Sequence, residues 1–459
     1  MPVTWQHGGM LPVVTPEEMS AIDASASEPV EVLIDRAGAA TARAALDLLG
    51  GTYGRRVVVV AGKGNNGNDG RAAAVRLQRL GVRVEVIDAA DAPSTLPEVD
   101  LVIDAAYGTG FRGTYDAPDP GIAAVLAVDI PSGVDGLTGV ASGSPMAADA
   151  TVTFAALKPG LLFADGRRLA GEIEVADIGL DVTRSSCCVV SADDVSMLVP
   201  SRADGDHKWR SACLVVAGSP GMGGAAHLAA SAAQRGGAGM VQVMTPGAVR
   251  PDPMPIEAVA IDGRGDDWIE DTIAGASRVH ACVIGPGLAP DLLDAGALRR
   301  LVAGLAVPVV VDGGALNAVD PAEQAAEIAA NGAVLTPHDG EYIRLTGRTP
   351  GPDRVAAARD AATSTGCVVL LKGPTTVIAD PSGRAVVMVD GDERLATAGS
   401  GDVLAGLIGS FLARGATPFD AASAAAAVHA LAARASLPLG LVASDLVEMI
   451  PEVRSALGV

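Results

Sequence analysis

The segment Thr397-Ala-Gly-Ser-Gly-Asp-Val-Leu-Ala-Gly406 sets glycines, a hydroxyl and one carboxylate immediately ahead of an apolar helical pattern. Gly399, Ser400 and Gly401 allow a tight turn whose unpaired backbone N–H groups face an anion, and the dipole of the following helix adds positive potential there. Asp402 would sit beside bound phosphate, where its charge repels the ligand. A carboxylate so placed suits proton removal from a hydroxyl that attacks phosphorus. It equally suits capping of the helix, and the motif alone leaves both roles open. Leu371-Lys-Gly-Pro-Thr-Thr376 follows a strand pattern. Lys372, Gly373, Pro374, Thr375 and Thr376 there offer a cation, a flexible backbone and hydroxyls to nucleotide phosphates, although a lysine at a strand end also serves as a solvated rim residue. His338 and Glu341 fall on a strand-to-helix corner as a candidate pair for a hydroxylated substrate, with no second histidine at zinc-ligand spacing. Gly285-Pro-Gly-Leu288 ends another strand as a backbone platform for a flat ligand.

The N-terminal part carries its own clusters at strand ends, where open α/β sheets collect ligands. Asn65-Asn-Gly-Asn-Asp-Gly70 lies between a strand and a helix, with glycines that let backbone approach a phosphate and with amides and Asp69 as directed hydrogen-bonding groups. It has neither the G-x-G-x-x-G spacing of a dinucleotide site nor a Walker loop, and a plain Asn/Gly turn in left-handed geometry is the competing reading. Asp104-Ala-Ala-Tyr-Gly-Thr-Gly-Phe-Arg-Gly113 and Asp129-Ile-Pro-Ser-Gly-Val-Asp-Gly136 each follow a strand directly. Asp104 and Asp129, with Ser132 and Asn66, supply oxygen ligands for a hard cation, and they also supply an acid/base.

The elements that must position these groups read as two alternating series. Thr15 to Leu49 has helical spacing and stops at Gly50-Gly51. Strand runs follow at Val57 to Val60, Val82 to Ile87, Leu101 to Ile103, Val125 to Ile130 and Thr151 to Phe154, the signature of a Rossmann-like, doubly wound parallel sheet. A polar stretch from Ser185 to Asp206 marks the boundary, giving domains at 1–190 and 191–459. The second series has strands at Cys213 to Ala217, Met240 to Met244, Ala281 to Ile284, Val307 to Val311, Val334 to Thr336 and Val368 to Leu371. It closes with helices at Val403 to Ala413, Ala421 to Ala433 and Ser444 to Ser455.

The chain has 459 residues, too many for one ordinary core, and its 49% hydrophobic content with 56 glycines and 3% aromatics describes α/β cores built from Ala, Val and Leu. A net charge of −21 argues against nucleic acid or an anionic membrane as partner, while leaving room for nucleotides held by local glycine turns. The five cysteines form no C-x-x-C pair and read as reduced thiols. With no signal-like opening and no long apolar run, a cytoplasmic enzyme is expected.

The N-terminal motifs, with Ile34-Asp-Arg-Ala-Gly38, resemble the NAD(P)H-hydrate epimerase domain in order and spacing; Ile34-Asp35 in place of Met-Glu and Asn68 in place of Gly depart from its pattern. The resemblance implies that Asp129 is the acid/base and that Asn66, Asp104 and Ser132 surround a potassium ion. It implies that substrate is held by Asn65, Asn66, Gly67, Asn68 and Asp69 together with Gly108, Thr109, Gly110, Phe111, Arg112, Gly113 and Thr114. From about Ala192 onward, the C-terminal motifs, with Gly224-Ala-Ala226 ahead of Gly237-Ala-Gly239, resemble the ADP-dependent NAD(P)H-hydrate dehydratase, a ribokinase-like domain. Gly314, where a second Asp is frequent, and Asp339, where Pro is frequent, are departures.

This second resemblance implies that Asp402 deprotonates the C6 hydroxyl of the hydrated nicotinamide, that ADP gives up its β-phosphoryl group and leaves as AMP, and that elimination of phosphate restores the ring. Ala225, Gly287, His338 and Asp402 would then hold the hydrate, and Lys372, Gly373, Pro374, Thr375, Thr376 and Gly401 would hold ADP, with magnesium. The partners so implied are the hydrates NADHX and NADPHX and ADP, in a homo-oligomer without nucleic acid or membrane. The epimerase would convert the R hydrate to the S form. A competing reading is a ribokinase-like small-molecule kinase whose N-terminal domain binds nucleotide without catalysis.

Overall fold

The computed structural model describes residues 3–5, 9–250, 252–265, 267–320 and 325–459. Two compact units divide the chain, Met1–Cys188 and Val189–Val459.

Unit 1 is built on seven parallel strands: β1 (Val3–Trp5), β2 (Arg56–Ala61), β3 (Arg83–Asp88), β4 (Leu101–Ala105), β5 (Ala124–Val128), β6 (Ala150–Phe154) and β7 (Glu172–Ala176), in the spatial order β1-β7-β6-β5-β4-β2-β3. Val57 to Val60 are all but inaccessible to solvent, as a valine run covered on both faces must be. The strand order reverses beside β2, whose neighbours are β3 on one side and β4 on the other. A crevice opens at the C-terminal ends of the strands at such a reversal. The N-terminal helical stretch is two helices, α1 (Pro16–Ala24), which ends on Ser25 as its C-cap, and α2 (Val30–Leu49), which starts after Pro29 in the N-cap position. Helix α3 (Asn65–Arg79) follows β2 and packs so closely on α2 that a Cβ on Gly38 would fall 2.5 Å from that of Ala72.

In unit 2, nine strands run in the order β10-β9-β8-β11-β12-β13-β14-β15-β16. They are β8 (Ala212–Val216), β9 (Met240–Met244), β10 (Val259–Ile261), β11 (Ala281–Ile284), β12 (Val309–Val311), β13 (Ala333–Leu335), β14 (Val368–Leu371), β15 (Thr376–Ala379) and β16 (Ala385–Met388). The first seven in space are parallel and β14-β15-β16 form an antiparallel meander. The order reverses at β8, and α4 (Gly223–Arg235) leaves that reversal. Helices α5 (Asp339–Thr346), α6 (Arg354–Thr365), α7 (Ser400–Ala413), α8 (Pro418–Ala435) and α9 (Ala443–Leu457) complete the elements used below. Cys213, Cys282 and Cys367 are buried free thiols. Among the described residues no helix is long and apolar enough to cross a membrane.

Five strands were not anticipated from the sequence, the three-residue β1 among them. β7 alternates Glu with Ile and Val, β10 has three residues, and β15 and β16 are four-residue pieces around an Asp380-Pro-Ser-Gly383 turn. Strand β5 ends at Val128, two residues earlier than its apolar run, because Asp129 turns to φ +66°.

Candidate active sites

A cavity of about 580 Å³ occupies the crevice of unit 1. Asn65, Asn66 and Asp69 reach it from α3, Tyr107 to Phe111 from the loop after β4, Asp129 from the end of β5, and Asp23 from α1. The Asn/Gly cluster is the first turn of α3, capped by Gly64, and none of Gly62, Gly64, Gly67 or Gly70 has a positive φ. The left-handed-turn reading therefore fails. These glycines serve close approach: a Cβ on Gly67 would lie 1.9 Å from Gly62 O, and one on Gly62 would lie 1.9 Å from Ala106 O. Gly67 and Asn68 do not line the cavity, and Arg112, Gly113 and Thr114 are exposed beyond its wall.

Asp129 holds a left-handed backbone, costly for a residue with a Cβ and a mark of functional positions. Its Oδ1 lies 2.5 Å from Lys158 Nζ and accepts a hydrogen bond from Thr153 Oγ1 at 3.1 Å. Lys158 is 1% exposed and also donates to Thr153 Oγ1 and Phe154 O, each at 2.9 Å, so all three of its N–H bonds have partners. Burial, the Asp129 charge and the Asp23 charge push Asp69 up to about 8, against the opposing pull of Lys158. Asp23 is raised by burial, with Lys158 opposing and Asp129 adding.

Asp104 is fully buried, and burial raises it despite hydrogen bonds from Ser132 and Ala106. Its Oδ2 accepts from Ser132 N at 2.9 Å, while Ser132 Oγ accepts from Tyr107 N at 2.9 Å and donates to Tyr107 O at 3.1 Å. The pair thus ties the Tyr107 loop to the Asp129 segment. Asn66, in the cavity wall, has both side-chain polar atoms buried and without a partner, and a Cβ on Gly108 would touch both Asn66 Cβ, at 3.5 Å, and Asp129 Oδ2, at 3.6 Å. No group of three or more His, Cys, Asp or Glu that could hold a metal ion gathers among the described residues, and Asp104 and Ser132 are not among the residues that line the cavity.

In unit 2, Gly399 at φ +88° is the N-cap of α7, and no side chain caps that helix. Asp402 lies in the first turn without a capping bond, which removes the capping reading. Burial and then the Asp312 charge push it up to about 6, against Lys372. Lys372 donates to Asp312 Oδ1 at 2.8 Å and lies 3.7 Å from Glu341 Oε2, and Thr336 Oγ1 donates to Asp312 at 2.6 Å. Burial alone would lower the lysine, but Asp312, Glu341 and Asp402 raise it, so it stays charged. A Cβ on Gly401 would sit 3.6 Å from that ammonium, which places a cation over the helix mouth.

His338 caps α5: its Nδ1 accepts from Gly340 N at 3.0 Å and Glu341 N at 3.2 Å, and Glu341 Oε2 accepts from His338 N at 2.9 Å. Its Nε2 faces Glu341 Oε1 at 3.5 Å, so a ligand meeting this exposed ring would share that edge with Glu341. Asp339 takes the first position of α5, which Pro would fill as well, and pairs with Arg354 at 2.9 Å. Ala225 and Gly287 touch: a Cβ on Gly287 would be 2.6 Å from that of Ala225. Gly314 is required by its backbone, since a Cβ there would meet Leu288 O at 2.1 Å. Gly373, Pro374 and Thr376 border a small cavity of about 50 Å³ with His429, and Thr375 is buried. Lys158, Thr153, Asp23 and Asp312 escaped the sequence reading. The one signal was a lone charge at the end of an apolar run, in Phe154-Ala-Ala-Leu-Lys158 and in Val309-Val-Val-Asp312.

Residues 213–451 match the NAD(P)H-hydrate dehydratase family, and residues 30–94 and 87–160 match the family described as YjeF-related protein N-terminus. A bifunctional NAD(P)H-hydrate repair enzyme of Salinibacter ruber is 34% identical, across 96% of this chain and 96% of its own. The chain belongs to the bifunctional NAD(P)H-hydrate repair enzymes. A member of that family from Mycobacterium tuberculosis is 37% identical over 82% of each chain. Among solved structures, the ADP/ATP-dependent NAD(P)H-hydrate dehydratase of Bacillus subtilis, co-crystallised with ATP and magnesium, is 29% identical with a TM-score of 0.50. It is covered over 98% of its length and covers 59% of this chain. A hypothetical protein of Streptococcus mutans, 25% identical with a TM-score of 0.51, is covered in full and likewise covers 59%. Both families of the bifunctional repair enzymes thus fall inside separate units, the first within unit 1 and the second within unit 2.

Proposed function

We propose that unit 1 interconverts the R and S hydrates of NADH and NADPH around Asp129, and that unit 2 dehydrates the S hydrate at the expense of ADP around Asp402. The observation that carries this reading is that each unit sets one carboxylate at the ligand end of its sheet beside a lysine already partnered, Lys158 in one and Lys372 in the other. The small-molecule kinase reading is not favoured, because relatives named for the repair activity align along both units.

In unit 2 the reacting hydroxyl would meet Asp402, which takes its proton as the oxygen attacks the β-phosphorus. The free N–H groups at the start of α7 and the Lys372 ammonium stabilise charge on the transferred group. The hydroxyl, a poor leaving group, becomes a phosphate ester; the ring nitrogen's lone pair expels phosphate to form N1=C6, and loss of the C5 proton, whose C–H pair forms C5=C6 as the N1=C6 pair returns to nitrogen, restores the reduced ring. Gly287 and Ala225 supply the flat surface for that ring. The charge of the ADP phosphates would be shielded by the magnesium that accompanies the nucleotide.

In unit 1, Asp129 exchanges protons at the C6 hydroxyl with its Oδ2, since Oδ1 is occupied by Lys158 and Thr153. The orphaned amide of Asn66, with Asp104 and Ser132, fits a potassium ion, which would supply fixed positive charge beside the substrate. Two variants separate the roles. Asp129→Asn is expected to lose R-to-S exchange by about 10²–10⁴-fold while dehydration of S hydrate persists, and Asp402→Asn should do the reverse. Epimer exchange at the wild-type rate in Asp129→Asn would refute the assignment of unit 1.

A further inference from the structure

We propose that Asp69 is a second catalytic group of the unit 1 cavity, the proton donor that works against the Asp129 base. The inference rests on the hydrate-epimerising reading of that unit. Asp69 is 8% exposed and lines the same cavity as Asp129, from a different element, the second turn of α3. The two carboxylates are treated oppositely by their surroundings. Asp129 Oδ1 receives the Lys158 ammonium and the Thr153 hydroxyl, whereas no described group hydrogen-bonds to the Asp69 carboxyl. A buried carboxyl with no donor, next to a partnered carboxylate, is where a shared site keeps its proton. Burial and the charges of Asp129 and Asp23 accordingly hold Asp69 up at about 8, with Lys158 opposing. Glu28, Lys63 and Tyr107 are the other ionisable groups of the wall.

Exchange at C6 needs both partners. The Asp69 proton passes to the C6 hydroxyl, the C6–O bond breaks with its electron pair leaving on water, and the ring nitrogen's lone pair forms the N1=C6 bond. Water then re-adds at the other face of C6, its electron pair closing the new C–O bond as the N1=C6 pair returns to the ring nitrogen and Asp129 takes the proton of the added water. The proton returns from Asp129 to Asp69 before the next turnover, so the sum is one hydrate for its epimer.

The test is R-to-S exchange measured by chiral chromatography without nucleotide, with the uncatalysed rate subtracted, in the full chain and in Asp69→Asn. The KM for R hydrate in the same assay reports affinity at unit 1, because unit 2 also takes the S hydrate. The expected result is a loss in kcat of at least about 100-fold, with affinity within threefold of wild type and partial rescue in Asp69→Glu. In the wild type the rate should fall as pH rises through about 8, since the donor is then ionised. Exchange at the wild-type rate in Asp69→Asn, or loss of rate together with loss of binding, overturns the proposal. Absence of exchange in the wild-type chain would instead overturn the reading of unit 1 on which it rests.

Discussion

Lys158 Nζ and Asp129 Oδ1 lie 2.5 Å apart, with side chains 2% and 16% exposed, so a nearly buried ammonium is committed to the carboxylate that ends β5. Removing one member of a buried pair costs about 3–5 kcal/mol, because the other charge is stranded. Lys158→Met should therefore lower the melting temperature of unit 1 by several degrees and abolish epimer exchange, while S-hydrate dehydration in unit 2 continues. Scanning calorimetry and the two assays, run on one preparation, check this. An unaltered melting profile with normal exchange would show that the pair does neither job.

Asp402 must be ionised to act as a base, and burial with the Asp312 charge places it at about 6. The kcat/KM for S hydrate at saturating ADP should be flat above pH 7 and fall tenfold per unit below about 6. A rate that holds level between pH 7 and pH 5 would exclude Asp402 as the base.

Gly401 separates binding from folding. Its missing Cβ would make only ordinary contact, 3.6 Å from Lys372 Nζ, so alanine fits, and inside a helix it is favoured over glycine by about 0.5–1 kcal/mol. Gly401→Ala is expected to keep or raise the melting temperature while raising the KM for ADP at least tenfold, since the methyl group intrudes on the phosphate turn. Unchanged nucleotide kinetics would place the phosphates elsewhere.

Asn66 supplies a corresponding test in unit 1. Exchange of hydrate epimers should be faster in potassium chloride than in an equal concentration of tetramethylammonium chloride, and Asn66→Ala should lose that difference. Equal rates in both salts for the wild type would remove potassium from the account.

The architecture was legible where sequence period reports burial directly. Valine runs such as Val57 to Val60 became central strands, and the glycine turn before Asp402 became a helix mouth. Motif residues were legible as chemistry because Asn65 to Asp69 and Asp129 follow strands and Asp104 is the last residue but one of β4, and strand ends at a reversal of order are where a sheet collects ligands. What stayed hidden depends on distance in space. Lys158 is 29 positions beyond Asp129 and Asp312 is 60 before Lys372, and nothing local in either segment announces its partner. The glycines of Asn65 to Gly70 were read as letting backbone approach a phosphate, with a left-handed turn as the competing reading; the approach they serve is between backbone segments of the protein, which composition cannot distinguish. His338 illustrates the converse: a motif histidine whose ring nitrogen is spent on the helix it caps.

The central claim is that one chain performs both steps on hydrated nicotinamide nucleotides. Absorbance of the reduced nicotinamide should be followed after adding the chain to mixed R and S NADH hydrate, with ADP and without nucleotide. The account predicts full recovery with ADP, the R portion included, and none without it. Recovery limited to the S portion would contradict the epimerase assignment, and no recovery with ADP would contradict the account as a whole.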